Sequence, residues 1–313
     1  QYGVNLSVLI ILKGKDMIKT IATTPYTDQK MGTGGLRKKT KVMMQPNYFE
    51  NFIQSIFNTV GDMKGKVFVV GGDGRYYNQT AIQKLIKMAA ANGVKKLIIG
   101  QNGFLSTPAG SHLMLKNHTN GGFILSASHN PGGENGDFGI KYANETGGQV
   151  PTSVSDKIYA NSKNISEYKI YDAPDVDLSK LGTVKLGDME IEIIDSVKDY
   201  VEMMQEIFDF DALKKLFKSG FTMRFDAMNA VTGPYAIRIF EEILGAAKGS
   251  VTHAVPLPDF GGLHPDPNLT YAKHLVDFMF SDKATDFAGA NDGDGDRNMI
   301  LGRSFFVTPS DSL

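Results

Sequence analysis

Gly122-Phe123-Ile124-Leu125-Ser126-Ala127-Ser128-His129-Asn130-Pro131-Gly132-Gly133 runs from a short apolar segment straight into a polar loop. Gly122 to Leu125 reads as a buried strand, and Pro131 with two glycines closes a tight turn after it. In open α/β sheets ligands sit beyond the carboxyl ends of the strands, so this junction speaks to both the fold class and the place of the chemistry. The N–H groups of so glycine-rich a loop can converge on an anion. Ser128 suits it as a phosphoryl carrier, because phosphoserine has close to two negative charges that need donors and a cation. A polar surface turn would use the same residue types.

The neighbouring sequence alternates between two periods. Asn51 to Val60 places Phe52, Ile53, Ile56 and Phe57 on one helical face, and Lys66 to Val70 is an apolar strand ending at Gly71-Gly72. Gln79 to Asn92 reads as a helix stopped by Gly93, and Lys96 to Ile99 as the next strand. Downstream, Phe138 to Tyr142 is strand-like, Val154 to Ile165 helical, and Tyr171 to Gly187 a connection without period. Ile194 to Phe208 and Gly233 to Leu244 read as helices, and Phe221 to Phe225, Ser250 to Val255 and Met299 to Leu301 as strands. The pattern predicts an α/β chain of two similar domains, each a mixed sheet between helices, with the functional loops in the cleft between them. The expected division is 17–190 and 191–313, with residues 1–16 an upstream or disordered extension, because Met17 is the first persuasive start.

Composition narrows the partners. The 313 residues carry 33 Lys and Arg against 34 Asp and Glu, so no broad basic field exists to hold nucleic acid or an anionic membrane. The apolar run Val8 to Leu12 is far shorter than the roughly 20 residues that span a bilayer. Zero cysteines rule out disulfides and thiolate metal sites, and the cytoplasm is the expected compartment.

A second loop, Asp292-Gly293-Asp294-Gly295-Asp296-Arg297, alternates carboxylates with glycine. Three hard oxygen ligands turned to one side fit a divalent cation, and without compensation they repel. The EF-hand pattern fails, since its sixth position holds Arg297 rather than Gly and its twelfth Arg303 rather than Glu. A solvated acidic turn is the bland alternative. Together the two loops offer what phosphoryl transfer needs: a phosphate-bearing hydroxyl, a cation site and a guanidinium.

At this point the sequence resembles a family. Ser126 to Gly133 resembles the active-site serine loop of the α-D-phosphohexomutases, and Asp292 to Arg297 their magnesium loop. Gly32-Thr33-Gly34-Gly35-Leu36-Arg37, Gly71-Gly72-Asp73-Gly74-Arg75, Gly136 to Lys141 and His264 to Leu269 are similar, in matching order, to the phosphoglucomutase branch of that family. The resemblance implies a phosphorylated Ser128, and Mg²⁺ held by Asp292, Asp294 and Asp296 with a phosphate oxygen on Ser128. It implies Thr33, Arg37 and Arg297 on the sugar phosphate, and His129 and Lys141 beside the transferring group. The implied reaction interconverts glucose 1-phosphate and glucose 6-phosphate through glucose 1,6-bisphosphate as intermediate or activator. A phosphomannomutase-like enzyme shares both loops, and a non-catalytic phosphoserine scaffold of the parafusin type is a further alternative. Family members are four-domain enzymes, so the chain is expected to be the N-terminal half, with little turnover by itself. Ser126 stands where Thr is usual, Gly34 where Ser is common and Asn291 where an aromatic residue is common.

The remaining residues carry blander expectations. His112, His118, His253, His264 and His274 show no close metal-ligand spacing and read as structural or surface. Gly71 to Arg75 reads as a turn after a strand, and Lys38-Lys39 as a solvated face.

Overall fold

A computed structural model describes residues 17–311, so the expected extension at 1–16, with its apolar run, lies outside the described residues. Two large sheets account for the architecture. The first has seven strands in the order Leu36–Lys39, Asp137–Ala143, Gly122–Leu125, Val67–Gly72, Lys96–Phe104, Met189–Ile194, Gly182–Leu186. Its four central neighbours, from Gly122–Leu125 to Met189–Ile194, run parallel, and the flanking strands are antiparallel. Covered on both faces, the parallel strands carry continuous apolar runs such as Phe68-Val69-Val70. One face packs on helices Tyr48–Val60 and Asn78–Ala91 through Phe52, Ile56, Ile82, Leu85 and Ile86, all fully buried. Val69, Ile98 and Ile124 point to the other side, against Leu113 and Met114 of helix Thr107–Lys116 and Val201 of helix Lys198–Ile207.

The second sheet has the order Val251–Thr252, Met223–Asp226, Phe287–Asn291, Asn298–Gly302, Phe305–Val307. Its first three strands are parallel, and the fourth returns antiparallel after the Asp292 to Arg297 loop. A two-stranded ribbon pairs Ile18–Ala22 with Glu167–Tyr171.

Several expected elements form within a residue or two of their expected ends. The strand expected over Lys96 to Ile99, however, runs on to Phe104, and that expected over Ser250 to Val255 is only Val251–Thr252. The helices expected over Asn51 to Val60 and Val154 to Ile165 are Tyr48–Val60 and Thr152–Ser162, and three further readings differ in kind. The connection expected over 171–187 contains the strand Gly182–Leu186, which forms a hairpin with Met189–Ile194. Every second residue of that hairpin is charged or polar, and short edge strands of this kind escape a search for apolar runs. Ile194 therefore ends a strand rather than opening a helix, which begins only at Lys198. The expected helix Gly233 to Leu244 is α-helical to Ala236 and then widens into a π-helix, Ile237–Ile243.

Candidate active site

Both large sheets present the C-terminal ends of parallel strands to one place. Ser128 follows Gly122–Leu125, Asp73 and Arg75 follow Val67–Gly72, and Asp292 to Asp296 follow Phe287–Asn291. Ser128 is fully buried, with φ 54 in the left-handed region where a non-glycine residue is uncommon. Its backbone is pinned on two sides. The Ser128 N–H donates to Ser126 Oγ at 2.7 Å, and its carbonyl accepts from Arg75 Nη2 at 2.7 Å. Ser126 Oγ in turn donates to Asp73 Oδ2 at 2.6 Å, and Asp73 forms an ion pair with Arg75 at 2.8 Å in which neither side chain is exposed. Arg75 Nη1 also donates to the carbonyl of Asp137 at 2.8 Å, and its guanidinium lies 5.1 Å from the ring centre of Phe260. One buried guanidinium thus fixes the serine loop.

Across the cleft, Ser128 Oγ donates to Asp292 Oδ2 at 2.7 Å. Asp292 Oδ1 accepts the N–H groups of Gly295, Asp296 and Arg297, each at 3.1 Å, which folds the acidic loop around that carboxylate. Asp294 Oδ2 is held by Lys141 Nζ and Thr107 Oγ1, and Lys141 reaches Asp296 Oδ2 at 3.1 Å. Asp294 Oδ1 is buried without a hydrogen-bond partner. Oxygens of Asp292, Asp294 and Asp296 lie within 4.8 Å of one another, so the donor set, all carboxylate and including an orphaned oxygen, fits a hard divalent cation. Burial, and then the Asp294 charge, push the Asp292 carboxyl above the usual carboxylate range. Burial disfavours the Lys141 ammonium, but Asp294 and Asp296 override it and raise its pKa.

Thr33, Arg37, Lys141, Asp296 and Arg297 line a common cleft. Arg37 is held below its ordinary pKa, by burial above all, with Arg297 and Arg75 adding repulsion against the pull of Asp294 and Asp296. Cations crowded in this way favour a bound anion. Arg297 Nη1 donates to His129 Nδ1, which requires a neutral imidazole with its proton on Nε2. All the residues singled out from the two loops and their flanks therefore meet in one region. Sequence reasoning placed Asp73, Arg75 and Ser126 in its motifs without giving them a role and missed Thr107, since neither burial nor the strand register that aligns them is visible in a local pattern.

The environment of His129 makes a prediction. Burial, and then the Arg297 charge, lower its pKa, so between that value and the ordinary value of about 6.5 the folded chain binds fewer protons than the unfolded one. Stability contributed by His129 therefore falls as pH drops through 6.5, the ordinary value of about that size being the unfolded reference. Replacing Arg297 by Met is expected to raise the His129 midpoint in an NMR titration, while burial keeps it below the ordinary value. An unmoved midpoint would show that the guanidinium does not act on this ring.

Fold and site together define a class: an α/β protein in which a serine hydroxyl is seated on a cation-ready acidic loop beside a basic cleft. The family models of phosphoglucomutase/phosphomannomutase α/β/α domains I and II match residues 28–169 and 198–304. The chain is 58% identical over 297 residues to the phosphoglucomutase of Rhizobium radiobacter, covering 95% of this chain and 55% of the relative. It is 54% identical over 299 residues to the chloroplastic phosphoglucomutase of Brassica napus, covering 95% and 48%. The crystal structure of the exocytosis-sensitive phosphoprotein parafusin, a phosphoglucomutase from Paramecium, in its open form, superposes with a TM-score of 0.91 at 46% identity, covering 94% of this chain and 56% of that one. The chain belongs to the phosphoglucomutase/phosphomannomutase family. It spans about half the length of these relatives. Among the described residues no helix is long and apolar enough to cross a membrane.

Proposed function

We propose that the chain is the serine- and cation-bearing half of a phosphoglucomutase, which interconverts glucose 1-phosphate and glucose 6-phosphate through glucose 1,6-bisphosphate. The observation that carries this reading is the 2.7 Å hydrogen bond from Ser128 Oγ to Asp292, which joins loops 164 residues apart. In the proposed cycle Ser128 carries the phosphoryl group. The P–Oγ bond breaks as a new P–O bond forms to a sugar hydroxyl, whose proton in the net step ends on Ser128 Oγ, and the reverse step with the other phosphate restores phosphoserine. Asp292, Asp294 and Asp296 would hold Mg²⁺, which when bound offsets charge on the transferring group. Lys141 adds a fixed positive charge at the same carboxylates. His129, kept neutral, sits beside Ser128 in sequence and touches Arg297, and Thr33, Arg37 and Arg297 grip the sugar phosphate.

The division into two domains is part of this proposal, moved from 190/191 to Asp195 to Val197 because the strand Met189–Ile194, which the expected boundary would cut, pairs within the first sheet. The cytoplasm remains the proposed compartment, in line with the relative named cytoplasmic in Populus tremula, while that of Brassica napus is named chloroplastic. Identities of 50% and more to proteins named phosphoglucomutase support glucose over mannose as the sugar.

The test is phosphoryl transfer to the protein. Incubation with Mg²⁺ and glucose 1,6-bisphosphate is expected to add a single phosphoryl group at Ser128, detected by peptide mass spectrometry, and none in Ser128→Ala. Labelling elsewhere, or undiminished labelling of the variant, would sink the assignment. The Paramecium neighbour is described both as a phosphoprotein and as a phosphoglucomutase, which favours one second reading, a phosphoserine carrier without turnover. That reading requires labelling at Ser128 with a single equivalent of glucose monophosphate left behind, and no repeated conversion of glucose 1-phosphate to glucose 6-phosphate.

A further inference from the structure

A second constellation of cation ligands lies in the same sheet as the acidic loop. Asp226 ends the strand Met223–Asp226, and His253 follows the parallel neighbour Val251–Thr252, in which Thr252 is paired with Asp226. His274 stands in the first turn of helix Lys273–Met279. The three converge although no short spacing groups them along the chain. His253 Nδ1 lies 2.9 Å from Asp226 Oδ2, and His274 Nε2 is bonded to the same oxygen. The imidazole rings are 5.1 Å apart at an interplanar angle of 85°.

We propose that Asp226, His253 and His274 form a binding site for a transition-metal dication of the zinc or cobalt class, separate from the acidic triplet. One atom of each, His253 Nδ1, His274 Nε2 and an Asp226 carboxylate oxygen, falls within a 4.8 Å limit of the other two. Tetrahedral zinc with bonds of about 2.0–2.1 Å to nitrogen and oxygen separates its ligands by about 3.3 Å, so both imidazole nitrogens, now at hydrogen-bond contact with Asp226, must back away from it, His274 by up to about 1 Å. The carboxylate is already positioned: Asp226 is fully buried, and its Oδ1 accepts the Met228 N–H at 2.7 Å. His253 is held at φ 46, in the left-handed region, and its carbonyl is anchored by the Asn229 N–H at 2.8 Å. Both imidazoles are about 40% exposed, which leaves a solvent-facing side for a water ligand and for metal entry.

Donor chemistry separates the two sites. Magnesium prefers hard oxygen ligands and gives up its water reluctantly, which suits the all-carboxylate triplet, whereas two imidazoles and one carboxylate select a borderline transition metal. Asp226 is paired with Ala290, two residues before Asp292, so the two cations would flank one end of the sheet. His253 also opens the segment whose Pro258 carbonyl accepts the N–H groups of Tyr76 and Gly133, next to the serine loop. Metal at this site would tie the start of that segment to helix Lys273–Met279.

Cobalt titration of the 313-residue chain in excess Mg²⁺ tests the proposal. One equivalent of Co²⁺ is expected to give intense visible bands of low-coordinate geometry and to be displaced by Zn²⁺. His253→Ala and His274→Ala should each lose the bands, whereas Asp294→Asn should keep them. Circular dichroism reports whether each variant folds. In the unsubstituted chain, ring-proton NMR of His253 and His274 should shift with Zn²⁺ and stay put with Mg²⁺, a readout independent of any variant. Bands that survive both histidine substitutions would overturn the proposal. So would titration behaviour in which all Co²⁺ binding disappears with Asp294→Asn, leaving the cluster a hydrogen-bonded ion pair only.

Discussion

Arg75→Met is expected to destabilise the chain by about 3–5 kcal/mol, the range for removing one partner of a buried ion pair. Asp73 would remain fully buried with its charge uncompensated, and the carbonyls of Ser128 and Asp137 would lose their donor. Burial already pushes the Asp73 carboxyl upward and the guanidinium is the main force opposing it, so the variant should take up a proton there on folding. Chemical denaturation gives the stability change directly. Asp73→Asn combined with Arg75→Met should recover part of the loss, because the unpaired charge has then been removed as well. A single variant of ordinary stability would mean that water, rather than Arg75, satisfies Asp73.

Gly293→Ala carries the second large effect, on function rather than stability. A Cβ at Gly293 would lie 2.4 Å from the carbonyl oxygen of Ser128 and 3.3 Å from Arg75 Nη2. Both atoms are fixed, the first by the serine loop and the second by Asp73, so the acidic loop must withdraw. Ser128 Oγ would then separate from Asp292, and a misplacement of about 1 Å at reacting groups can cost on the order of 100-fold in rate. Phosphoryl labelling of Ser128 should therefore slow by about that factor, on the order of 100-fold, with the fold retained by circular dichroism. Labelling at the unaltered rate would show that the two loops do not need this close approach.

Much of the molecule was legible without coordinates. Helices such as Tyr48–Val60 and Asn78–Ala91 announce themselves because a face of the helix must be apolar to reach the core. The strand Val67–Gly72 does so because it is buried on both faces. Both chemical loops were legible for a similar reason: glycines and alternating carboxylates must be contiguous to fold one short segment around a charge. The hairpin Gly182–Leu186 with Met189–Ile194 was not, since an edge strand of mixed polarity looks like a loop.

The sequence by itself determined the α/β alternation, the serine loop and the acidic loop, each written in a dozen or fewer neighbouring residues whose local chemistry suffices. Only the tertiary structure decided that Asp73, Arg75 and Ser126 brace the serine from below, that Lys141 reaches Asp294 and Asp296, and that His253 and His274 meet at Asp226. These groupings depend on which parallel strands lie side by side and in what register. That pairing is fixed by burial of the whole core, so it leaves no trace in the spacing of the residues it unites.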